Sequence, residues 1–165
     1  MIRVIKDKKY NFTSVFNDRT GEYLRGIDRD DDPFMAEYPH LIDVGVMGGC
    51  EHGRSGLCMK AGIKCYQNGL KQIEPNMTLD NFKKIIDWSK DRMFEAALGG
   101  RGDVDMHENF EEILAYSRAN GIVPNFTTSG LGMTPEKAEL CAEYCGAVAC
   151  SQYARLKKIK LRRKK

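Results

Sequence analysis

The sequence predicts an α/β fold: a partial (βα) barrel with about four parallel strands, its closure incomplete, preceded by a small β-hairpin. Two observations predict it. From Leu41 onward, short apolar runs alternate with amphipathic stretches of helical period, and the connections between them are short. The ends of the strand-like runs, "MGGC", "LGGRGD", "TTSGLG" and "CSQY", are rich in Gly, Ser, Thr, Cys or charge. Parallel strands place such exits at one mouth, where ligands of α/β proteins bind.

The elements follow in order. Residues 1–37 form an N-terminal unit, in which "YNFTSVFNDRTGEYLRGI" alternates about the turn signal "NDRTG" as a hairpin, and "DRDDDP" is an acidic connector. Residues 38–154 form the half-barrel. Its first strand is "LIDVGV", leading into a cysteine-containing loop. The helix "TLDNFKKIIDWSKDR" has Thr78 as N-cap and Leu79, Phe82, Ile85 and Ile86 on one face. The strand "MFEAAL" precedes "GGRGD"; the helix "HENFEEILAYSRANG" buries Phe110, Ile113 and Leu114 and closes at Gly121. The strand "IVPNFTTSG" and the helix "TPEKAELCAEYCG" follow, the latter with Thr134 as cap, Pro135 at its first position and Gly146 at its end. "AVACSQY" starts the fourth strand, and residues 155–165 are a basic tail.

Composition narrows the class. Of 165 residues 42% are hydrophobic and 30% charged, which describes a folded globular chain. No apolar run reaches the length of a membrane span, and the N-terminus lacks the apolar core of a secretory signal. Six cysteines in that context point to a reducing, cytoplasmic compartment, where thiols serve metals or chemistry. The net charge of +3 comes from the tail "RLKKIKLRRKK". Without it, 18 of the 26 basic residues face 23 acidic ones, so the body has no nucleic-acid-binding charge. No P-loop, dinucleotide fingerprint or serine triad occurs.

The densest chemistry is "GGCEHGRSGLCMKAGIKCYQNG", residues 48–69. Cys50, Cys58 and Cys65 lie in a glycine-containing loop with little apolar cover, an unusual place for thiols meant as core. Three thiolates around a metal leave one position open. With His52 they would complete a tetrahedral zinc site; on a [4Fe-4S] cluster they would leave one iron for another ligand. The spacing alone decides between neither. Cys141 and Cys145, four apart on a helix, read as small core residues, and His107 as a helix-start cap.

The order of these features over residues 38–153 resembles the radical S-adenosylmethionine enzymes. A cysteine loop follows the first strand, its last cysteine is followed by "YQ", and a glycine pair follows the second strand. The wider stretch is similar to the peptide-modifying group of that superfamily. The resemblance implies that Cys50, Cys58 and Cys65 ligate a [4Fe-4S] cluster whose fourth iron takes S-adenosylmethionine. It implies reductive cleavage to a 5′-deoxyadenosyl radical, an external electron donor and a peptide substrate. It also implies cofactor contacts from Gly99 and Gly100, from Tyr66, from Asp103, from Thr128 and Ser129, and from Ser151. The loop departs from the family's CxxxCxxC spacing, Lys64 stands where an aromatic residue is usual, and Arg101 replaces the acid after the glycine pair. The family's barrel has about six strands, so the expectation is a broken-off half-barrel. A zinc-stabilised binding module and an inactive half-barrel are the alternative readings.

Overall fold

A computed structural model of the chain describes residues 1–26, 35–60, 62, 64–65 and 74–151. The acidic connector, Tyr66 and the basic tail lie outside the described residues. Among the described residues, no helix is long and apolar enough to cross a membrane.

Strands β1 (Ile2–Asp7), β2 (Phe12–Asn17) and β3 (Tyr23–Gly26) make an antiparallel sheet in the order β1-β2-β3. The expected hairpin is the β2–β3 half of it, turning where Gly21 N–H donates to the Asn17 carbonyl at 2.8 Å. The expectation of a hairpin alone is corrected by β1. Its alternation is blurred because both faces carry apolar residues: Ile2 and Val4 are exposed, while Ile5 packs inward. The inner face seats Phe16 against Phe94, rings stacked with centroids 5.1 Å apart. Arg3 crosses the same ring and donates to the carbonyls of Lys90, Met93 and Gly121. Those partners flank the amino ends of the parallel strands, so this sheet plugs the end opposite the strand exits.

The second sheet holds β4 (Leu41–Met47), β5 (Glu95–Gly100), β6 (Val123–Thr128) and β7 (Ala147–Cys150), all parallel and in sequence order. Two one-turn helices, α1 (Glu51–Arg54) and α2 (Leu57–Lys60), lie in the cysteine loop. The crossovers are α3 (Leu79–Ser89), α4 (Phe110–Ala119) and α5 (Pro135–Tyr144). Each starts as its sequence requires. Thr78 caps α3 by accepting from Asn81 N–H at 3.3 Å, and Thr134 caps α5 from Lys137 N–H at the same distance, with Pro135 at the first position. Helix α4 ends in a Schellman motif: Ile122 N–H reaches the Ser117 carbonyl, Gly121 N–H reaches Arg118, and Gly121 has φ +74°.

Phe82 and Ile86 of α3, Ile113 and Leu114 of α4 and Cys141 of α5 share one core with Val44, Val46, Ala96 and Leu98. All three helices therefore cover one face of the sheet. Sequential strand order with helices on a single side is the winding of a barrel segment, and it leaves the other face open. That face bounds a cavity of about 560 Å³ lined by Asp43, Gly45, Ala97, Gly99, Asn125 and Thr127, among others. Next to the mouth its side chains are small (Gly45, Gly99, Thr127 and Ala149), so the space there is deep.

Candidate metal and cofactor site

The strand exits converge. The β4–β5 register shifts between Gly45 and Met47, a bulge that turns the chain out of β4 toward the cysteine loop. Cys50 begins that loop as the cap of α1, its Sγ accepting from Gly53 N–H at 3.3 Å. Cys50 and Cys58 are partly exposed and Cys65 is exposed, as expected of thiols that do not serve as core.

Burial pushes the Cys58 thiol above its ordinary value, and negative charge on Cys50, Cys65 and Asp103 adds to the shift. Cys58 thus lies within electrostatic reach of both other thiols. A nucleophilic cysteine needs its pKa lowered by nearby positive charge; this surrounding does the reverse. It suits instead a thiol that ionises when a metal supplies the positive charge. Soft thiolate donors in this number fit a thiophilic centre such as zinc or iron–sulfur. Among the described residues no three potential ligands already stand in metal-holding geometry, so closing on one centre requires the loop to draw in.

The neck of the loop is pinched. Gly48 N–H donates to Asn76 Oδ1 at 3.0 Å, Glu74 N–H to the Gly48 carbonyl at 3.2 Å and Met77 N–H to the Val46 carbonyl at 2.9 Å. Asn76 uses its amide nitrogen on Glu108 Oε2 at 2.7 Å, a bond that draws the Glu108 carboxyl below its usual range. His107, buried, clasps the same returning segment: Nε2 donates to the Met77 carbonyl at 3.1 Å while Nδ1 accepts from Asn109 N–H at 3.0 Å. It does not cap α4, whose N-cap is Asn109 without a side-chain bond; it holds the Asn109 amide just ahead of the helix, and its second bond ties that approach to the neck. Sequence reasoning missed Asn76 and Glu108, for which composition and period give no signal.

The glycines at the end of β5 and just beyond it divide by role. Gly100 has φ +117°, and a Cβ on it would overlap the backbone of Met47. Gly102 is equally intolerant, its Cβ position overlapping the Gly49 carbonyl oxygen and lying 3.2 Å from Cys50 Cα. Both glycines serve close packing against the root of the cysteine loop. Around Gly99, by contrast, nothing lies within 4 Å of a Cβ position, although both Gly99 and Gly100 line the cavity.

Two acids from the β5–α4 connector hold two hydroxyl residues at the β6 exit. Thr128 Oγ1 donates to Asp105 Oδ1 at 2.6 Å and accepts from Gly130 N–H at 2.9 Å. Ser129 donates both its N–H, at 3.1 Å, and its hydroxyl to Asp103, and its oxygen accepts from Leu131 N–H at 3.3 Å. Thr128 is 2% exposed, so the hydroxyl hydrogens of both residues are engaged inside the protein rather than offered to the mouth. Ser151 is exposed, and its N–H extends the sheet by donating to the Thr128 carbonyl at 2.8 Å. Cys150, beside it, is exposed, with Sγ 3.7 Å from the Ser129 carbonyl oxygen. Cys141 is buried in the core and Cys145 packs against it, the latter's thiol pushed up to about 12 by burial and by Cys141. They are packing residues, as their helical spacing suggests.

No family model matches the chain, and no curated protein does. Solved structures do match. SuiB from Streptococcus suis bound to its precursor peptide SuiA aligns with TM-score 0.58 at 10% identity, covering 90% of this chain and 48% of that one. SuiB alone aligns with TM-score 0.57 at 12% identity, over 90% and 45% of the two chains. BtrN in complex with AdoMet and 2-DOIA aligns with TM-score 0.52 at 13% identity, over 67% and 44%. The chain spans less than half the length of each, and at these identities the likeness is one of fold: an α/β parallel sheet joined to a small antiparallel sheet.

Proposed function

We propose that the chain is the cluster-binding part of a radical S-adenosylmethionine enzyme that modifies a peptide. Cys50, Cys58 and Cys65 would hold a [4Fe-4S] cluster, and the mouth beside Gly99 would take S-adenosylmethionine. The observation that carries this reading is the joint placement of three thiols in one loop and the open space at Gly99 on one mouth of a singly wound parallel sheet. The AdoMet in the BtrN structure and the precursor peptide on SuiB support the cofactor and the substrate class. When bound and reduced by an external donor, the cluster supplies the electron that splits S-adenosylmethionine into methionine and a hydrogen-abstracting radical.

The chain's own residues have defined parts in this reading. Gly99 leaves backbone groups accessible for the methionyl amine, and Gly100 and Gly102 bring the loop root against β5. Asp103 and Asp105 hold the β6 exit by its two hydroxyls and the Ser129 N–H, which fixes that wall of the mouth. Anaerobic reconstitution followed by iron, sulfide and zinc analysis tests the reading. About four irons and four sulfides per chain are expected, with 5′-deoxyadenosine formed when dithionite and S-adenosylmethionine are added. A colourless protein holding one zinc would replace it with the zinc-stabilised module.

A further inference from the structure

We infer that His52 is a positioning residue: with Asp103 it forms a strap that fixes the cysteine loop to the β6 exit. On a count of ligands His52 is dispensable to a three-cysteine cluster. Its location says otherwise. His52 Nε2 lies 3.5 Å from Asp103 Oδ2, and the two side chains are 15% and 17% exposed. The Nε2 atom is shielded from solvent and makes no hydrogen bond at this separation. A shielded ring nitrogen without a partner is costly, and a small inward movement of the loop gives it one.

The far end of the strap is already fixed. Asp103 receives both the N–H and the hydroxyl of Ser129, so its carboxylate cannot swing freely. The adjacent Gly102 is seated on Gly49 and Cys50, which holds the backbone of Asp103 at the loop root. One carboxylate therefore joins the first turn after Cys50 and the β6 exit. Closing the His52–Asp103 gap brings the first turn after Cys50 against the β5–α4 connector.

The strap rests on the proposed function for the identity of the cluster, but its coupling is measurable in the metal-free protein. The readout is the rate at which iodoacetamide alkylates Cys58, followed by mass spectrometry in His52→Ala, Asp103→Ala and the double variant. His52→Ala is expected to raise the rate about three- to tenfold, the double variant adding no more than Asp103→Ala alone; non-additivity of this kind isolates the link from the charge effect of removing Asp103. His52→Gln, which keeps a side-chain donor, is expected to restore most of the protection. Should Asp103→Ala fold poorly, Ser129→Ala replaces it and loosens the same carboxylate. After reconstitution, His52→Ala is expected to hold full iron with an altered low-temperature spin-resonance line of the reduced cluster on adding S-adenosylmethionine. Additive effects on alkylation, or no effect of His52→Ala, would overturn the strap. Loss of one bound zinc on His52→Ala would overturn it too, making His52 a ligand. Absence of iron from the parent protein would instead count against the proposed function, leaving the alkylation cycle to judge the strap alone.

Discussion

Gly102 and Gly49 touch backbone to backbone, so closely that the first carbon of any side chain on Gly102 would overlap the carbonyl oxygen of Gly49. This contact joins the exit of β5 to the root of the cysteine loop. Gly102→Ala is expected to separate them and to lower iron uptake on reconstitution, as is Gly100→Val, whose new side chain meets Met47. Gly99→Ala meets open space and is expected to leave the fold and the iron content unchanged while weakening S-adenosylmethionine binding by calorimetry. Equal cofactor binding by Gly99→Ala and the parent would remove Gly99 from the cofactor site.

Four of the cysteines are expected to fall into two groups under alanine substitution. Loss of Cys50, Cys58 or Cys65 should each abolish stable iron incorporation, Cys50→Ala also freeing the Gly53 amide it caps. Cys141→Ala should keep the cluster and cost on the order of 1 kcal/mol in urea unfolding, as for a small buried side chain. Full iron in Cys58→Ala would show that the loop recruits another ligand.

Thr128→Val is nearly isosteric but removes the hydroxyl that satisfies the buried carboxylate of Asp105, whose second oxygen already lacks a partner. A loss of about 2 kcal/mol is expected, in the range for stripping a buried charged group of a hydrogen bond. The double variant with Asp105→Ala should recover part of it. Urea midpoints of the four proteins measure both numbers.

His40 links the small sheet to the start of β4. Its Nδ1 meets the Tyr23 hydroxyl at 2.7 Å and its Nε2 the Ser14 hydroxyl at 3.2 Å. Burial lowers its pKa, Arg25 lowers it further, and Asp7 partly opposes them. A depressed pKa means that the folded state resists a proton the unfolded state accepts. The stability this contributes is present above about pH 6.5 and is lost as pH falls from there through the folded value. The melting temperature is expected to drop between pH 7.5 and pH 5.5, and less so in His40→Phe. An unchanged slope in that variant would assign the pH dependence to other groups.

Where chemistry repeats at a fixed period, the sequence announces it: the face of α3 through Phe82 and Ile86, the Thr134–Pro135 start of α5 and the Gly121 stop of α4 all stand as read. Strand β1 escaped because Arg3, a polar residue at an inward position, reaches across Phe94 to three backbone carbonyls, and no alternation encodes such a bond. The site was legible as a set of strand exits, since parallel strands bring their ends together whatever lies between. Its wiring was not. Thr128 and Ser129 look like ligand contacts in sequence, but their donors turn to Asp105 and Asp103, residues 23 and 26 positions earlier. Gly100 reads as room for a cofactor, but its missing side chain makes room for Met47. Long-range pairings of this kind depend on a register that one sequence does not reveal.

The neck at Gly48 and Glu74 changes what the loop's length costs. Because the two ends are already bonded side by side, with Asn76 and His107 bracing the returning chain, a longer excursion between them adds mainly chain entropy of closure. That entropy grows with the logarithm of length, so doubling a flexible loop costs only about 0.6 kcal/mol. Wide cysteine spacing is therefore thermodynamically cheap here. Residues can be inserted between Cys50 and Cys65 without disturbing the sheet, and the segment is free to diverge in length while its two anchor points stay where the strands put them.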